Sequence, residues 1–162
     1  MSKNTNDKSF KRPAKKDQEF EQRVIEIARV TRVMAGGKRM RFRACVVIGD
    51  MKGRVGFGIA KGADVTIAIN KAVDRAKKTM VRVNMVNGTI PHEVRLRHKA
   101  VNVLLKPAPQ GTGVVAGGPT RAVVELAGYK NVVIKMIGSR SKINNVQTTF
   151  KALQSLKQPK GK

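Results

Sequence analysis

The first apolar pattern in the chain is typical of strands. The apolar residues that follow Phe20 are β-branched, which favours a strand, although Glu19 and Glu21 would also suit a first helical turn. These β-branched residues are Val24, Ile25, Ile27, Val30 and Val33. Two glycines within residues 34–39 then permit the positive φ of a hairpin loop. In residues 41–49 the apolar side chains share one face, namely Phe42, Ala44, Val46 and Ile48. The pattern predicts two strands joined by a hairpin.

A third strand follows the turn at residues 50–53. Its apolar residues Val55, Phe57 and Ile59 share one face, and Gly56 and Gly58 occupy the other. Because glycine has no side chain, another backbone or a helix can come very close to that second face.

A helix is predicted to follow, with Asp64 as its N-cap. Its buried stripe has 3-4 spacing and consists of Val65, Ala68, Ile69, Ala72, Ala76 and Met80. The alanines are small enough for the helix to pack closely over Gly56 and Gly58. Residues 20–82 therefore form a predicted β-β-β-α domain.

The second half of the chain alternates strands and helices. Strands are predicted at 94–98, 101–105 and 132–137, the first with Val94, Leu96 and His98 on its buried face. The outer face of that strand is formed by Glu93, Arg95, Arg97 and Lys99. Pro119 begins a helix that runs to Ala127 and that Gly128 closes, and a last helix covers about residues 143–156. Residues 83–157 are thus predicted to form a C-terminal β-sheet domain with two helices, which makes the chain α+β.

The two ends of the chain have a different composition. Residues 1–19 are polar and net positive, and residues 158–162 are basic. Both are predicted to be disordered tails. The first tail either contacts RNA nonspecifically or only keeps the protein soluble.

Charge separates this sequence from most soluble proteins. The 162 residues contain 34 Lys+Arg against 10 Asp+Glu, a net charge of +24. Such self-repulsion points to a polyanionic partner, and a sequence pI near 11.3 favours nucleic acid. No apolar run is long enough to span a membrane, and the first 20 residues lack the apolar segment of a secretory signal, so a cytoplasmic location is expected. Aromatic residues are few, so binding must rely on phosphates, backbone amides and shape.

Metal and redox chemistry have little support. Cys45 is the single cysteine, which excludes an internal disulfide and a Cys-based zinc site, and its place within a strand predicts a buried, inert thiol. His92 and His98 have no cysteine or further histidine to join them, so structural roles are expected. No cofactor is predicted.

The hairpin concentrates positive charge without nearby acid. Its loop and strand bases carry Arg32, Lys38, Arg39, Arg41 and Arg43 around a Gly-Gly pair whose N–H groups are exposed. A charge run is often only a solvated face, but this arrangement favours phosphate binding. The candidate RNA-binding residues are Arg29, Thr31, Arg32, Gly36, Gly37, Lys38, Arg39, Arg41, Arg43, Lys52, Arg54 and Lys61.

A glycine-rich loop at residues 110–118 precedes a helix and leaves an enzyme open as an alternative. It does not meet the dinucleotide fingerprint, because Ala116 stands where the third glycine belongs and Glu125 is the only acid after Glu93. A loop for protein contact or backbone packing is preferred, and a nucleotide titration separates the two. A histone-like DNA-binding protein is a third possibility, which equal affinity for duplex DNA and structured RNA would support.

Several motifs together carry a family resemblance. They are the run from Gly37 to Gly58 with its Gly-Arg-Val-Gly-Phe-Gly end, Lys71-Ala72, residues 87–94, Pro107-Ala108, residues 111–118, residues 121–123 and Ala127-Gly128. In these motifs the sequence resembles the family of ribosomal protein five of the bacterial small subunit, over about residues 20–156. It departs from the family pattern at Ala35 and at Ser141-Lys142.

The resemblance implies a fold and a place in the ribosome. The N-terminal domain would be similar to a double-stranded-RNA-binding domain. The protein would be a structural, non-catalytic constituent that binds small-subunit rRNA at the junction of body and head, close to where mRNA enters. It would contact ribosomal proteins four and eight, and it would support decoding accuracy with proteins four and twelve.

Two segments receive specific roles from the resemblance. Residues 31–38 would lie near the spectinomycin site. The positions that would face protein four are Gln110, Gly111, Thr112, Gly113 and Arg121. Neither a membrane nor a small-molecule substrate is implied.

Overall fold

The computed structural model describes residues 20–157, so the two predicted tails lie outside the described residues. The N-terminal elements are β1 (Glu21–Met34), β2 (Gly37–Gly49), β3 (Arg54–Gly62), α1 (Val65–Lys78) and β4 (Val81–Arg82). The C-terminal elements are β5 (Val94–His98), β6 (Val101–Pro107), β7 (Val114–Val115), α2 (Gly118–Ala127), β8 (Val132–Gly138) and α3 (Lys142–Gln154). The predicted α+β class and the β-β-β-α order are confirmed. No helix in this part of the chain is long and apolar enough to cross a membrane.

The N-terminal sheet is antiparallel, with strand order β1-β2-β3-β4. Helix α1 lies against the face formed by Ala44, Val46 and Ile48, and its alanines Ala68, Ala72 and Ala76 are fully buried there. The glycines of β3 make this close approach possible. A Cβ at Gly58 would lie within 3.0 Å of backbone atoms of Ala72 and Ala76. The predicted packing of the helix over Gly56 and Gly58 is confirmed.

The start of α1 is only partly as predicted. Asp64 occupies the N-cap position with extended backbone angles, but its side chain makes no capping hydrogen bond. Of the predicted stripe, the alanines are buried, whereas Val65, Ile69 and Met80 are half-buried at its margin.

The C-terminal sheet has strand order β5-β6-β8-β7, and α2 and α3 pack on one of its faces. Strand β7 lies inside the predicted glycine-rich loop and pairs in parallel with β8. Helix α2 begins at Gly118, one residue before the predicted Pro119, and Gly128 ends it with φ +96° as predicted. The predicted face of the last helix is buried, including Phe150 and Leu153.

The two predicted domains share one core. The face of the N-terminal sheet opposite α1 carries Val47 and Val55, which are fully buried together with C-terminal residues. Phe57 and Phe150 meet edge to face across this boundary, with ring centroids 4.9 Å apart. Strand β4 joins the N-terminal sheet, so the predicted boundary near residue 82 falls at the end of β4.

Backbone hydrogen bonds reinforce the contact between the halves. The Met51 and Gly53 N–H groups donate to the Leu126 and Ala127 carbonyls, each at 3.0 Å. These carbonyls belong to the last turn of α2, which has no intrahelical donors for them. The turn between β2 and β3 therefore caps a helix of the other half, and it orients the long β1–β2 hairpin relative to the C-terminal sheet.

Cys45 lies in β2 with 1% of its surface exposed. Burial, with a smaller contribution from Glu26, raises the pKa of the Cys45 thiol to about 11. A thiol with so high a pKa is protonated at neutral pH and is a poor nucleophile. The predicted burial of this thiol is confirmed, and its inertness stays a prediction.

Candidate RNA-binding surface

The β1–β2 hairpin extends beyond the rest of the N-terminal sheet. The pairing of β2 with β3 ends at Phe42 and Gly62, whereas its pairing with β1 continues to Met34 and Gly37. Residues 31–41 are all exposed. The turn is shorter than the predicted loop, because it contains only Ala35 and Gly36. Since Gly36 has φ +85° in open space, it is the backbone conformation that requires glycine there.

Strand register places like charges side by side on this extension. Arg32 is directly opposite Arg39, and Lys38 is opposite Val33. Like charges in cross-strand pairs destabilise a sheet, so this arrangement does not serve folding.

Two adjoining grooves gather further cations at the base of the hairpin. The first is lined by Val30, Thr31, Arg32, Met34, Arg39, Arg41 and Lys61. The second lies where β3 ends and α1 begins, and it adds Lys71 and Ile67 to Arg39, Arg41 and Lys61. Lys71 was missing from the predicted binding set. Its signal in the sequence is the basic stripe on α1 that it forms with Arg75 and Lys78.

Most cations of the hairpin have no acidic partner. Within residues 20–157, the following side chains form no ion pair: Arg29, Arg32, Lys38, Arg39, Arg41 and Lys61. Unpaired cations that face each other across exposed strands create a local positive potential. Such a surface suits phosphates, which would relieve the repulsion.

The prediction that no acid lies near these residues was wrong for Arg43. Its Nη2 atom is 3.9 Å from Oε2 of Glu26, and both side chains are about one-third exposed. The two residues are far apart in sequence, but antiparallel pairing sets Glu26 opposite Cys45, which makes it a diagonal neighbour of Arg43 across the two strands. The charge of Arg43 is therefore partly offset.

Lys52 and Arg54 lie at the other end of the N-terminal sheet, in and just after the β2–β3 turn. Strand β2 separates them from the hairpin tip by roughly 40 Å, taken as 13 residues at the usual strand rise. The structure therefore does not bring these two residues together with the hairpin cations.

The acid in that turn is Asp50, which organises the turn itself. Its carboxylate accepts hydrogen bonds from the Lys52 and Arg54 N–H groups at 2.8 and 2.9 Å and from Arg54 Nε at 2.7 Å. Burial would raise the pKa of Asp50, but the hydrogen bonds from Arg54 and Lys52 lower it overall. The guanidinium of Arg54 also lies 5.2 Å from the ring centroid of Phe20. Arg54 is thus engaged within the fold.

The glycine-rich loop is fixed from inside the protein. Asn131 Oδ1 accepts hydrogen bonds from the N–H groups of Gly111 and Gly113, each at 3.1 Å. Both glycines have positive φ, and their outer sides face open space. Because Asn131 uses these two N–H groups, they are not free to bind a nucleotide phosphate. The loop is anchored to Asn131 and presents an outer surface that includes the exposed Gln110 and Thr112.

Glu125 connects α2 to the N-terminal sheet, and Arg121 of the same helix shares its carboxylate. Arg121 Nε donates to Glu125 at 2.6 Å, and Arg23 of β1 donates to the other oxygen of the same carboxylate. The hydrogen bond from Arg121 lowers the pKa of Glu125, burial opposes this change, and Arg23 adds to the lowering. Arg121 stays more than half exposed, so it is placed by an internal ion pair and still reaches solvent.

Groups suited to metal binding do not cluster in the described residues. Nowhere in residues 20–157 do three or more His, Cys, Asp or Glu side chains come together as a possible metal site. His98 Nδ1 lies 3.4 Å from Lys151 Nζ. Desolvation, together with Lys151 and Lys99, lowers the pKa of His98.

The fold and these surfaces define a class of protein. It is an α+β protein with two sheets, a shared core and a cationic hairpin suited to RNA phosphates. Comparison with known proteins identifies the family. Residues 20–84 match the model of the ribosomal protein S5 N-terminal domain, and residues 96–162 match that of the ribosomal protein S5 C-terminal domain.

A curated relative agrees with these matches. The small ribosomal subunit protein uS5 of Mycoplasma mobile is 49% identical over 160 residues, which covers 97% of this chain and 66% of the relative. The chain belongs to the ribosomal protein S5 family, whose members are structural, non-enzymatic proteins of the small ribosomal subunit. The predicted family is confirmed.

Proposed function

We propose that this chain is a structural component of the small ribosomal subunit and that its β1–β2 hairpin binds phosphates of folded rRNA. The observation that carries the proposal is the set of unpaired cations on an exposed hairpin, with Arg32 opposite Arg39. In the free protein these charges repel each other. Phosphates between them would turn the repulsion into attraction.

The hairpin recognises backbone and shape. Its exposed part, residues 31–41, contains no aromatic side chain on which a base could stack. Lys61 and Lys71 extend the cationic surface from the hairpin to the corner of the sheet. A surface of this kind fits phosphates from two RNA segments that meet in a folded structure, and it distinguishes sequence poorly.

The finer placement rests on the family. The proposed site is the junction of body and head near the point where mRNA enters, with contacts to ribosomal proteins four and eight and a role in decoding accuracy with proteins four and twelve. The anchored loop at residues 110–113 and the exposed Arg121 supply a surface for protein four. This assignment is supported by the anchoring of the loop to Asn131, since an anchored loop loses little entropy on binding.

The test is a triple variant of the hairpin, Arg32→Ala, Lys38→Ala and Arg39→Ala. We expect an unchanged or higher melting temperature, because repulsion is removed. Affinity for small-subunit rRNA should fall, and the slope of log affinity against log salt should shrink by about 2–3, close to one for each phosphate that the variant no longer neutralises. The matched control exchanges the same cations as Arg32→Lys, Lys38→Arg and Arg39→Lys, and it should keep most of the slope.

Three outcomes would count against the proposal. A triple alanine variant that unfolds would make the hairpin part of the scaffold. A variant that folds and binds rRNA like the parent would place the RNA contact elsewhere. Equal affinity of the parent for duplex DNA of matched length would favour a general DNA-binding protein.

A further inference from the structure

The outer face of the C-terminal sheet is a second exposed surface with cationic character. Helices α2 and α3 cover the inner face, where Val101, Val103 and Leu105 are fully buried. The side chains that alternate with them point the other way, and Arg95, Arg97 and Lys135 among them are exposed. Leu104 and Val133 on this outer face are only half-buried.

Strand register arranges this face in rows. Arg95 is opposite Leu104, which is opposite Lys135. In the next row Arg97 is opposite Asn102, which is opposite Ile137. Strands lie about 4.8 Å apart, so Arg95 and Lys135 begin roughly 10 Å apart with an aliphatic side chain between them.

The cations of this face outnumber its acids. Glu93 lies at the edge, and its Oε2 atom is 3.7 Å from Nζ of Lys106, which offsets that one lysine. Arg95, Arg97 and Lys135 form no ion pair within residues 20–157. The face therefore combines three unpaired cations with an aliphatic centre, and charge complementarity calls for an anionic partner.

RNA fits this face better than an acidic protein surface does. The aliphatic centre is small and interrupted by Asn102, whereas the cores of protein interfaces are apolar and depleted of charge. Val115 and Ile137 at the sheet margin are 51% and 42% exposed, enough for contact with ribose but offering no aromatic ring for stacking. The cations at the two edges of the face are spaced to meet separate phosphates.

We propose that the outer face of the C-terminal sheet, defined by Arg95, Arg97, Asn102, Leu104 and Lys135, is a second rRNA-binding surface, separate from the hairpin. It binds phosphates and riboses without reading base sequence. The inference rests on the proposed function, since it assigns a second contact to the same RNA partner. Because both surfaces belong to one folded chain, binding of the RNA at one of them raises the effective concentration of the other.

The test neutralises the three unpaired cations with their side-chain stems retained, as Arg95→Gln, Arg97→Gln and Lys135→Gln. The matched control removes the same charge from scattered exposed positions, as Lys77→Gln, Lys130→Gln and Lys157→Gln. Affinity of the purified full chain for small-subunit rRNA is measured against salt. We expect the sheet variant to bind at least tenfold more weakly near 100 mM salt with a salt slope smaller by about 2–3, and the slope of the control to shrink by less than one.

A charge-preserving variant of the same face, Arg95→Lys, Arg97→Lys and Lys135→Arg, should bind like the parent. Because it changes the same three positions without removing charge, it separates the effect of lost charge from the effect of disturbed packing on this face. A sheet variant that matches its control, or a charge-preserving variant that binds as weakly as the Gln variant, overturns the inference. The hairpin variant is measured in parallel. If only the hairpin variant loses affinity, the second surface is refuted and the proposed function stands, whereas both fail if neither variant loses affinity.

Discussion

At Gly58 a single added carbon should strongly destabilise the N-terminal half of the fold. A Cβ at this residue would lie 2.7 Å from the Ala76 nitrogen and 3.0 Å from the Ala72 carbonyl carbon, and it would collide with the Ala72 carbonyl oxygen. All three atoms belong to the backbone of α1, so no side-chain rotation can relieve the overlap. Helix α1 must move away from the sheet, which opens the packing of its buried alanines.

We therefore expect Gly58→Ala to lower the free energy of unfolding by about 3 kcal/mol, the upper part of the usual range for overpacking. For a chain of this size the melting temperature would fall by roughly 6–12 °C. Thermal denaturation followed by circular dichroism measures the change. Gly56→Ala should cost less, because one of its close neighbours is the movable side chain of Met80.

The matched control is Gly118→Ala. Gly118 is also a glycine, but nothing lies within 4 Å of its added Cβ, and it is the first residue of α2. Its replacement should leave stability unchanged or slightly higher, since alanine reduces the entropy of the unfolded chain. If Gly58→Ala has the same melting temperature as the parent, α1 does not pack against β3 at this distance, and the glycine face of β3 would be open.

Three further changes test the loop, the domain contact and the ion pair. Asn131→Ala should remove two hydrogen bonds, cost about 1–3 kcal/mol, and speed amide exchange in the glycine-rich loop, and unchanged exchange would refute the anchoring. Gly128→Ala should cost about 3 kcal/mol, because the residue has positive φ and its Cβ would collide with the Met51 carbonyl, so a parent-like melting temperature would count against this packing. Since Arg121 lowers the pKa of Glu125, the ion pair stabilises the fold above the ordinary value of 4.5, and this contribution disappears as pH falls through the lowered pKa. As pH falls through that acidic range, the free energy of unfolding of Glu125→Gln should therefore decrease less than that of the parent. If the free energy of unfolding of both proteins depends on pH in the same way, the stabilising role of the ion pair is contradicted.

Local patterns were enough to predict how α1 packs on the N-terminal sheet. The two-residue alternation of β3 separated Val55 and Phe57 from Gly56 and Gly58, and that alternation alone indicated which face the helix approaches. The same reasoning could not assign a partner to the apolar face. Val55 and Phe57 pack against C-terminal residues, and no local signal identifies a contact between distant segments.

The features of the site that could not be predicted from the sequence depend on how the strands pair. Glu26 neutralises part of the charge of Arg43 only because antiparallel pairing brings them together. From the sequence, Lys52 and Arg54 were placed in the same candidate RNA-binding set as the hairpin cations. In the structure, the length of β2 separates these two residues from the hairpin tip. Strand β7 has two residues and depends on parallel pairing with β8, so no periodicity could reveal it.

The placement in the small subunit can be tested by sedimentation. Small subunits assembled in cells that express the tagged chain are washed with high salt and separated on a density gradient, and the amount of chain per small subunit is measured. The proposal predicts near-equal amounts of the parent chain and small subunits, and a clear reduction for the Arg32, Lys38 and Arg39 alanine variant. A parent chain that sediments as free protein would contradict the proposed function.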